Sequence, residues 1–426
     1  LLFILIFPSL AIGQNNGIEF RKAQSWTELL RAAGNDGKLV FVTCAIPRSA
    51  DCQRMEKDVF SDSTIGSFFN SRFLSIKMLL DSANEDGLKN RQQMQLPIDL
   101  QKFVAGKSFP VYLFFTSAGT LVHQGMGVRY GNFFMELGNE ALKPETQYFP
   151  LLEKFRKGVL PYTSMPYLAR TAGDVNDKEV ADKVSKKYLH NYLLLLPPDS
   201  LLTKSNIEFL AAYAQSDDKV FSLFYNQEKI IDEIMNQEGY TRQLIDQAIT
   251  YKFVEPRLWR DRNYAKPLNE QPEWLAITQL LSSKYGTETA ERIMLNAKVK
   301  WYGVKMDWAK YTDNLITIVE RFGPPMPVMG NFTQDFKYNW NAWEIFKHSY
   351  DKKSLVTALV WSETAIKIVS KPDAQYYDTY ANILYKLGRR KEAITWQKKA
   401  AELNPQANDI QDNLSKMNNN EPTWPQ

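Results

Sequence analysis

Cysteine and histidine are scarce in this chain, with two of the first and three of the second in 426 residues. Two cysteines exclude a disulfide-framed scaffold and any Cys-rich zinc module. His123, His190 and His348 stand too far apart for a His-x-x-x-His pair, so no metal site is expected. A surplus of one charge is also lacking. Lys and Arg number 52 against 48 Asp and Glu, a net charge of +4, far from the concentrated basic patch that nucleic acid requires. No glycine-rich phosphate loop follows a strand, because Gly125-Met126-Gly127 lacks the further glycine and the helix, so no cofactor is expected. A serine hydrolase is disfavoured as well. Ser49 has no histidine in its own segment, and His123 falls on an expected strand, as a partly exposed residue rather than a general base. The 44% apolar and 23% charged content is that of a globular chain, and the length corresponds to about three domains.

The one long uncharged apolar stretch is Leu1–Gly13. It is shorter than the roughly 20 residues of a spanning helix, and no later stretch reaches that length. Ala11-Ile12-Gly13 places small residues where a signal peptidase needs them, with cleavage expected before Gln14. Residues 1–13 therefore read as the apolar part of a signal peptide whose basic start is missing. The competing reading is a buried strand. A signal peptide puts the mature protein in the periplasm or outside the cell, with no integral membrane segment after processing.

Between residues 18 and 145, apolar runs and turn residues alternate. Ser25 followed by Glu28 is a capping-box pattern opening an amphipathic helix. Leu39–Val42 is wholly apolar and reads as a central strand. Cys52–Phe60 reads as a helix with Met55, Val59 and Phe60 on one face. Phe73–Leu80 is a second strand, a helix is expected around Ile98–Val104, and Val111–Phe115 is a third strand. Ser117-Ala118-Gly119-Thr120 turns the chain into the return strand Leu121–Gln124. Tyr130–Leu142 closes the segment as a helix. This order predicts a mixed sheet covered on both faces.

These residues resemble the thioredoxin family, in particular its secreted bacterial members. The resemblance rests on the strand Leu39–Val42 running into Thr43 to Cys52, on the helix Gln53-Arg54-Met55-Glu56-Lys57-Asp58-Val59-Phe60, on Ser108-Phe109-Pro110 before the third strand, and on Gly125-Met126-Gly127. It implies a cis bond before Pro110 and a groove at Phe109 and Pro110 that pairs with extended peptides. The family's Cys-x-x-Cys is degenerate here and reads Ser49-Ala50-Asp51-Cys52. The attacking thiolate of the family sits at a helix N-terminus, where the dipole stabilises it. Ser49 takes that place and can form no disulfide. Cys52 keeps the second, less exposed position beside Asp51, whose charge disfavours a thiolate. Thr43 replaces a buried acid that many members use for proton transfer. Cys44 leaves two readings open: a bridge to Cys52, which needs Cα atoms within about 7 Å, or two inert buried thiols.

Prolines 144, 150, 161 and 166 mark a linker, and the pattern beyond is helical. Residues 150–335 read as an irregular helical domain. The aromatics between Trp301 and Trp343 read chiefly as helix packing, with a ligand groove as the alternative. From 338 to 408, Tyr377, Tyr380, Ala381, Leu384, Gly388, Ala393, Ala400 and Pro405 fall at the spacings of a tetratricopeptide repeat, which residues 373–406 resemble. Ala358 and Ala365 precede Ala393 and Ala400 by 35 residues and mark a weaker copy. Residues 409–426 are expected to fray. The fold expected is thus an α/β thioredoxin-like domain followed by an all-α array with tetratricopeptide-like repeats. The function expected is protein or peptide binding through a degenerate active site. The alternative is atypical thiol-disulfide exchange through Cys52, with or without Cys44.

Overall fold

The apolar run at Leu39 becomes strand β1, Leu39–Ala45, in a computed structural model that describes residues 17–23, 25–80, 100–104, 106–214, 217–260, 266–325 and 332–424. Leu1–Gly13 and the expected helix start at Ile98 lie outside the described residues. β1 pairs in parallel with β2, Phe73–Leu79, and antiparallel with β3, Val111–Phe115. β3 turns through Ser117–Thr120 into β4, Leu121–Met126, giving the strand order β2-β1-β3-β4.

Both faces of this sheet are covered. Helix α1, Trp26–Asp36, begins where Ser25 Oγ accepts the Glu28 N–H at 3.2 Å, as the capping pattern requires. It lays Trp26, Leu29 and Ala33 against Val40, Val42, Cys44, Leu113 and Phe115. The opposite face is aromatic. Phe41, Phe69, Phe73, Tyr112, Phe114 and Phe134 form one buried ring cluster, with Phe69 and Phe134 stacked at 4.7 Å. Helix α2, Ala50–Arg54, runs directly into a π-helical stretch, Met55–Phe60, whose Met55, Val59 and Phe60 enter that cluster.

The structure adds an element the sequence reading lacked, helix α3, Ser63–Arg72. Its polar composition hides it, yet Asp62 caps it by accepting the N–H groups of Thr64 and Ile65 at 2.8 and 2.9 Å. Helix α4 is described over Leu100–Val104, and α5 spans Asn132–Leu142. Gly125 lets α5 approach β4 closely, since a Cβ there would lie 2.7 Å from the Leu137 side chain.

The chain divides into two compact units after Leu201, so the helices that follow Pro144 belong with the sheet. They are α6, Tyr148–Arg156, α7, Met165–Asp174, and α8, Lys178–Asn191. Their docking corrects the expectation for His123, which is fully buried rather than partly exposed. Its Nδ1 accepts the Tyr148 N–H at 3.1 Å, which leaves the proton on Nε2, 3.7 Å from the Glu140 carboxylate. Tyr148 Oη donates to Asp177 at 2.8 Å, and Lys107 Nζ donates to the Val175 carbonyl at 2.6 Å.

The second unit is helical. Its helices include α9, Lys204–Tyr213, α10, Asp218–Asn226, α11, Glu228–Met235, α12, Tyr240–Ile249, α13, Trp274–Tyr285, α14, Thr287–Val304, and α15, Trp308–Phe322. Asp246 of α12 and Arg292 of α14 form a two-pronged ion pair at 2.6 and 2.8 Å with little exposure on either side chain. Burial works against the Arg292 charge. The hydrogen-bonded Asp246 carboxylate overcomes it and holds the guanidinium above its ordinary value. The aromatics from Trp301 onward serve mainly as packing: Trp301 is buried, with Trp259 at 4.9 Å and Trp274 at 6.0 Å.

Two helix pairs follow: α16, Gln334–His348, with α17, Lys352–Ile368, and then α18, Ala374–Lys386, with α19, Arg390–Leu403. Gly388 turns the second pair at φ +84°, and Ala381, Ala393 and Ala400 are fully buried. The expected fraying tail is instead helix α20, Asn408–Asn419. Ile410, Leu414 and Met417 recur at helical spacing, and Ile410 and Met417 are buried. A single carboxylate oxygen ties the last three helices together. Asp378 Oδ1 of α18 accepts from Gln397 Nε2 of α19 at 2.6 Å and from Asn413 Nδ2 of α20 at 3.1 Å. Met417→Ala is expected to lower the unfolding free energy of this unit by about 2–3 kcal/mol, measured by urea titration. A tail that frayed would show no change.

Candidate functional site

The candidate site forms where β1 leaves the sheet. The chain turns at Ile46–Ser49, with the Ser49 N–H donating to the Ile46 carbonyl at 3.0 Å. Ser49 then occupies the N-cap of α2, where its Oγ accepts the Cys52 N–H at 3.4 Å and its carbonyl accepts the Gln53 N–H at 3.0 Å. The hydroxyl thus satisfies one of the orphan donors of the helix start. Ser49 is half-exposed, whereas Cys52, one turn on, is only 3% exposed.

Both cysteines are thiols. Cys44 is fully buried and packs on the α1 face of the sheet with Val42, Met78 and Val111. The helix carrying Cys52 sends Met55 and Val59 into the opposite face. The geometry therefore matches the reading of two buried thiols rather than a bridge.

Phe109 and Pro110 flank this turn from β3. Their peptide bond is cis, as expected, with Phe109 half-buried and Pro110 buried. The Pro110 carbonyl accepts the Gly127 N–H at 2.8 Å, which fastens the loop to the end of β4.

Several residues around this centre went unread in the sequence. Tyr112 lies in β3 beside Thr43 of β1 and donates from Oη to the Gly127 carbonyl at 2.9 Å. Burial drives its phenol well above the usual range, Arg129 opposes this, and Cys52 and Glu56 reinforce it. Tyr112 therefore stays protonated and acts as a fixed donor. Thr43 Oγ1 is buried without a hydrogen-bond partner, so it offers no proton relay. The Arg129 N–H reaches Met55 Sδ at 3.4 Å, and Lys77 Nζ pairs with Glu56 at 2.6 Å. Tyr130 and Phe133, just beyond Gly127, are 46% and 68% exposed. Only the exposed aromatics carried a sequence signal, as large apolar residues at the start of an amphipathic helix. The ion pair and the Tyr112 bond join residues distant in sequence.

Chemically, this arrangement offers a hydroxyl at the helix N-terminus, a shielded thiol behind it and apolar surface beside it. Among the described residues, no group of three or more His, Cys, Asp or Glu could hold a metal ion, and no helix is long and apolar enough to cross a membrane. No protein-family model matches the chain, and no curated protein matches it.

Proposed function

We propose that residues 18–145 form a thioredoxin-like domain that binds extended protein or peptide segments and has given up dithiol exchange. The observation that carries this reading is the exchange of roles at α2. The half-exposed N-cap position holds the Ser49 hydroxyl, and the only thiol of the turn, Cys52, is shielded. A hydroxyl neither ionises near neutral pH nor forms a disulfide, so the position best suited to activate a nucleophile carries none. The strand order, helices on both faces and the Phe109–Pro110 loop next to the turn support the same reading. Exchange through Cys52, with or without Cys44, lacks an exposed attacking sulfur.

The helix pairs 334–368 and 374–403 act in this proposal as tetratricopeptide-like units that offer a second protein-binding surface. The buried alanines and the turn at Gly388 support it. In this proposal the protein resides in the periplasm or outside the cell, a reading supported by the apolar, signal-like run Leu1–Gly13.

The test has two arms. In insulin reduction with dithiothreitol, wild type should stay at the reagent background. In fluorescence anisotropy with a panel of extended, cysteine-free peptides, Phe109→Ala should weaken binding about tenfold, equivalent to 1.4 kcal/mol. A wild type well above background, or Phe109→Ala binding as tightly as wild type, removes the proposal.

A further inference from the structure

Arg129 follows the end of β4 closely and is half-buried. Its place is fixed twice. The backbone N–H donates to Met55 Sδ at 3.4 Å, which holds it against the π-helical stretch behind Cys52. The side chain folds back, and Nε donates to the Met126 carbonyl at 3.4 Å. Met126 stands opposite Val111, and the next residue, Gly127, donates its N–H to the Pro110 carbonyl at 2.8 Å. The guanidinium is thus anchored at the end of the β3–β4 ladder that carries the cis loop, beside the Gly127–Pro110 bond. Its charge also acts on the Tyr112 phenol, whose Oη donates to the Gly127 carbonyl.

A guanidinium carries several N–H donors in a planar fork, and here Nε alone is engaged. The two terminal nitrogens meet no acceptor of a described residue, and no carboxylate of a described residue lies within ion-pair distance. The neighbouring charges are already matched: Arg54 pairs with Asp51, and Lys77 with Glu56 at 2.6 Å. Partial burial strips some of the water from the Arg129 charge and puts no anion in its place. Arg48, in the turn before Ser49, also has no such partner among the described residues, but it is exposed and water serves it. Apolar surface adjoins Arg129 in the chain, since Tyr130 and Phe133 are exposed rings.

We propose that Arg129 sets the specificity of the Phe109–Pro110 loop, selecting an extended peptide that carries a carboxylate side chain beside an apolar one. This rests on the peptide-binding reading of the same site and adds the chemical class of the ligand. The free edge of a guanidinium matches the two oxygens of a carboxylate, and a charge-assisted pair of this kind is stronger than a neutral hydrogen bond. The incoming carboxylate replaces the water that Arg129 has lost, while the rings of Tyr130 and Phe133 offer contact area to the apolar neighbour.

The test uses short fluorescein-labelled peptides of Val, Thr and Ser, each with one Glu at a different position, beside the same set with Gln in its place. In anisotropy titrations of the full chain at low salt, wild type should bind Glu at least about fivefold more tightly than Gln at one position or more. The ratio should shrink to about twofold or less at about 0.5 M salt. Arg129→Met should bring the two sets together with the Gln affinity kept within about twofold, Arg48→Met should leave the ratio unchanged, and Phe109→Ala should weaken both sets alike. A wild type that binds the two sets equally overturns this inference and leaves the peptide-binding reading standing; one that binds neither overturns both. A preference that survives Arg129→Met, or that vanishes in Arg48→Met, belongs to another cation and overturns the inference. So does a wild-type preference indifferent to salt, a result that depends on no variant folding.

Discussion

Ser49→Cys should raise insulin reduction from the dithiothreitol background to about tenfold above it. The reasoning starts from the cap. In wild type the Ser49 side chain already points its heteroatom at the Cys52 N–H across the first turn of α2. A sulfur there would sit in the positive field of the helix start and beside unsatisfied N–H groups, both of which lower a thiol's pKa. It would also be half-exposed, as Ser49 is, with Cys52 one turn behind it as the resolving thiol. The gain should stop short of full efficiency, because Thr43 supplies no acid at the strand end and Asp51 adds a like charge near the thiolate. The pKa of the new thiol, followed by its absorbance at 240 nm, should fall below the ordinary 8.5. A Ser49→Cys protein that stays at background, with both thiols titratable, would show that the turn is not built for exchange. The resemblance of 18–145 to thioredoxins would then extend to the scaffold alone.

The second large effect concerns stability. Arg292→Met should destabilise the second unit by about 3–5 kcal/mol, because it leaves the Asp246 carboxylate in a site where only 19% of its side chain remains exposed. The pair itself contributes far less than that figure. Its Coulomb attraction is offset by the desolvation of both ions, so Asp246→Leu combined with Arg292→Met should recover most of the loss. Chemical denaturation of wild type, both single variants and the double variant completes the cycle. Two single losses that simply add would mean that the ions act independently, which the two-pronged geometry at 2.6 and 2.8 Å does not allow.

The parts of this molecule that were legible in its sequence are those where local composition decides the outcome. Leu39–Val42 is apolar without interruption and reads as a covered strand, and Ser25 and Glu28 announce α1 before any tertiary contact forms. The degenerate turn was legible for the same reason, since Ser49 and Cys52 lie within one helical turn. What stayed hidden depends on neighbours far away in sequence. His123 looked half-exposed because nothing nearby reveals that the Tyr148 backbone docks on it from 25 residues away. Helix α3 was missed because five of its ten residues are Ser, Thr or Asn, types that read as connection, although Asp62 was a usable cap signal. The Asn-rich tail misled in the opposite way. Its composition speaks for disorder, while the spacing of Ile410, Leu414 and Met417 speaks for a packed helix, and packing prevailed.

The Asp378 junction has a consequence for how the last helices find their alignment. Ala393, Ala400 and Ala401 bring α19 close to its neighbours, while its Trp396 packs on Tyr377 and Tyr380 of α18 at 5.4 and 5.2 Å. Sliding α19 by one turn, about 5.4 Å, would break those ring contacts. It would also carry Gln397 and Asn413 out of reach of Asp378 Oδ1 and strand a carboxylate away from water. The three helices are therefore indexed twice, by the fit of Trp396 between rings and by one shared oxygen atom, which acts as a dowel between boards already shaped to each other.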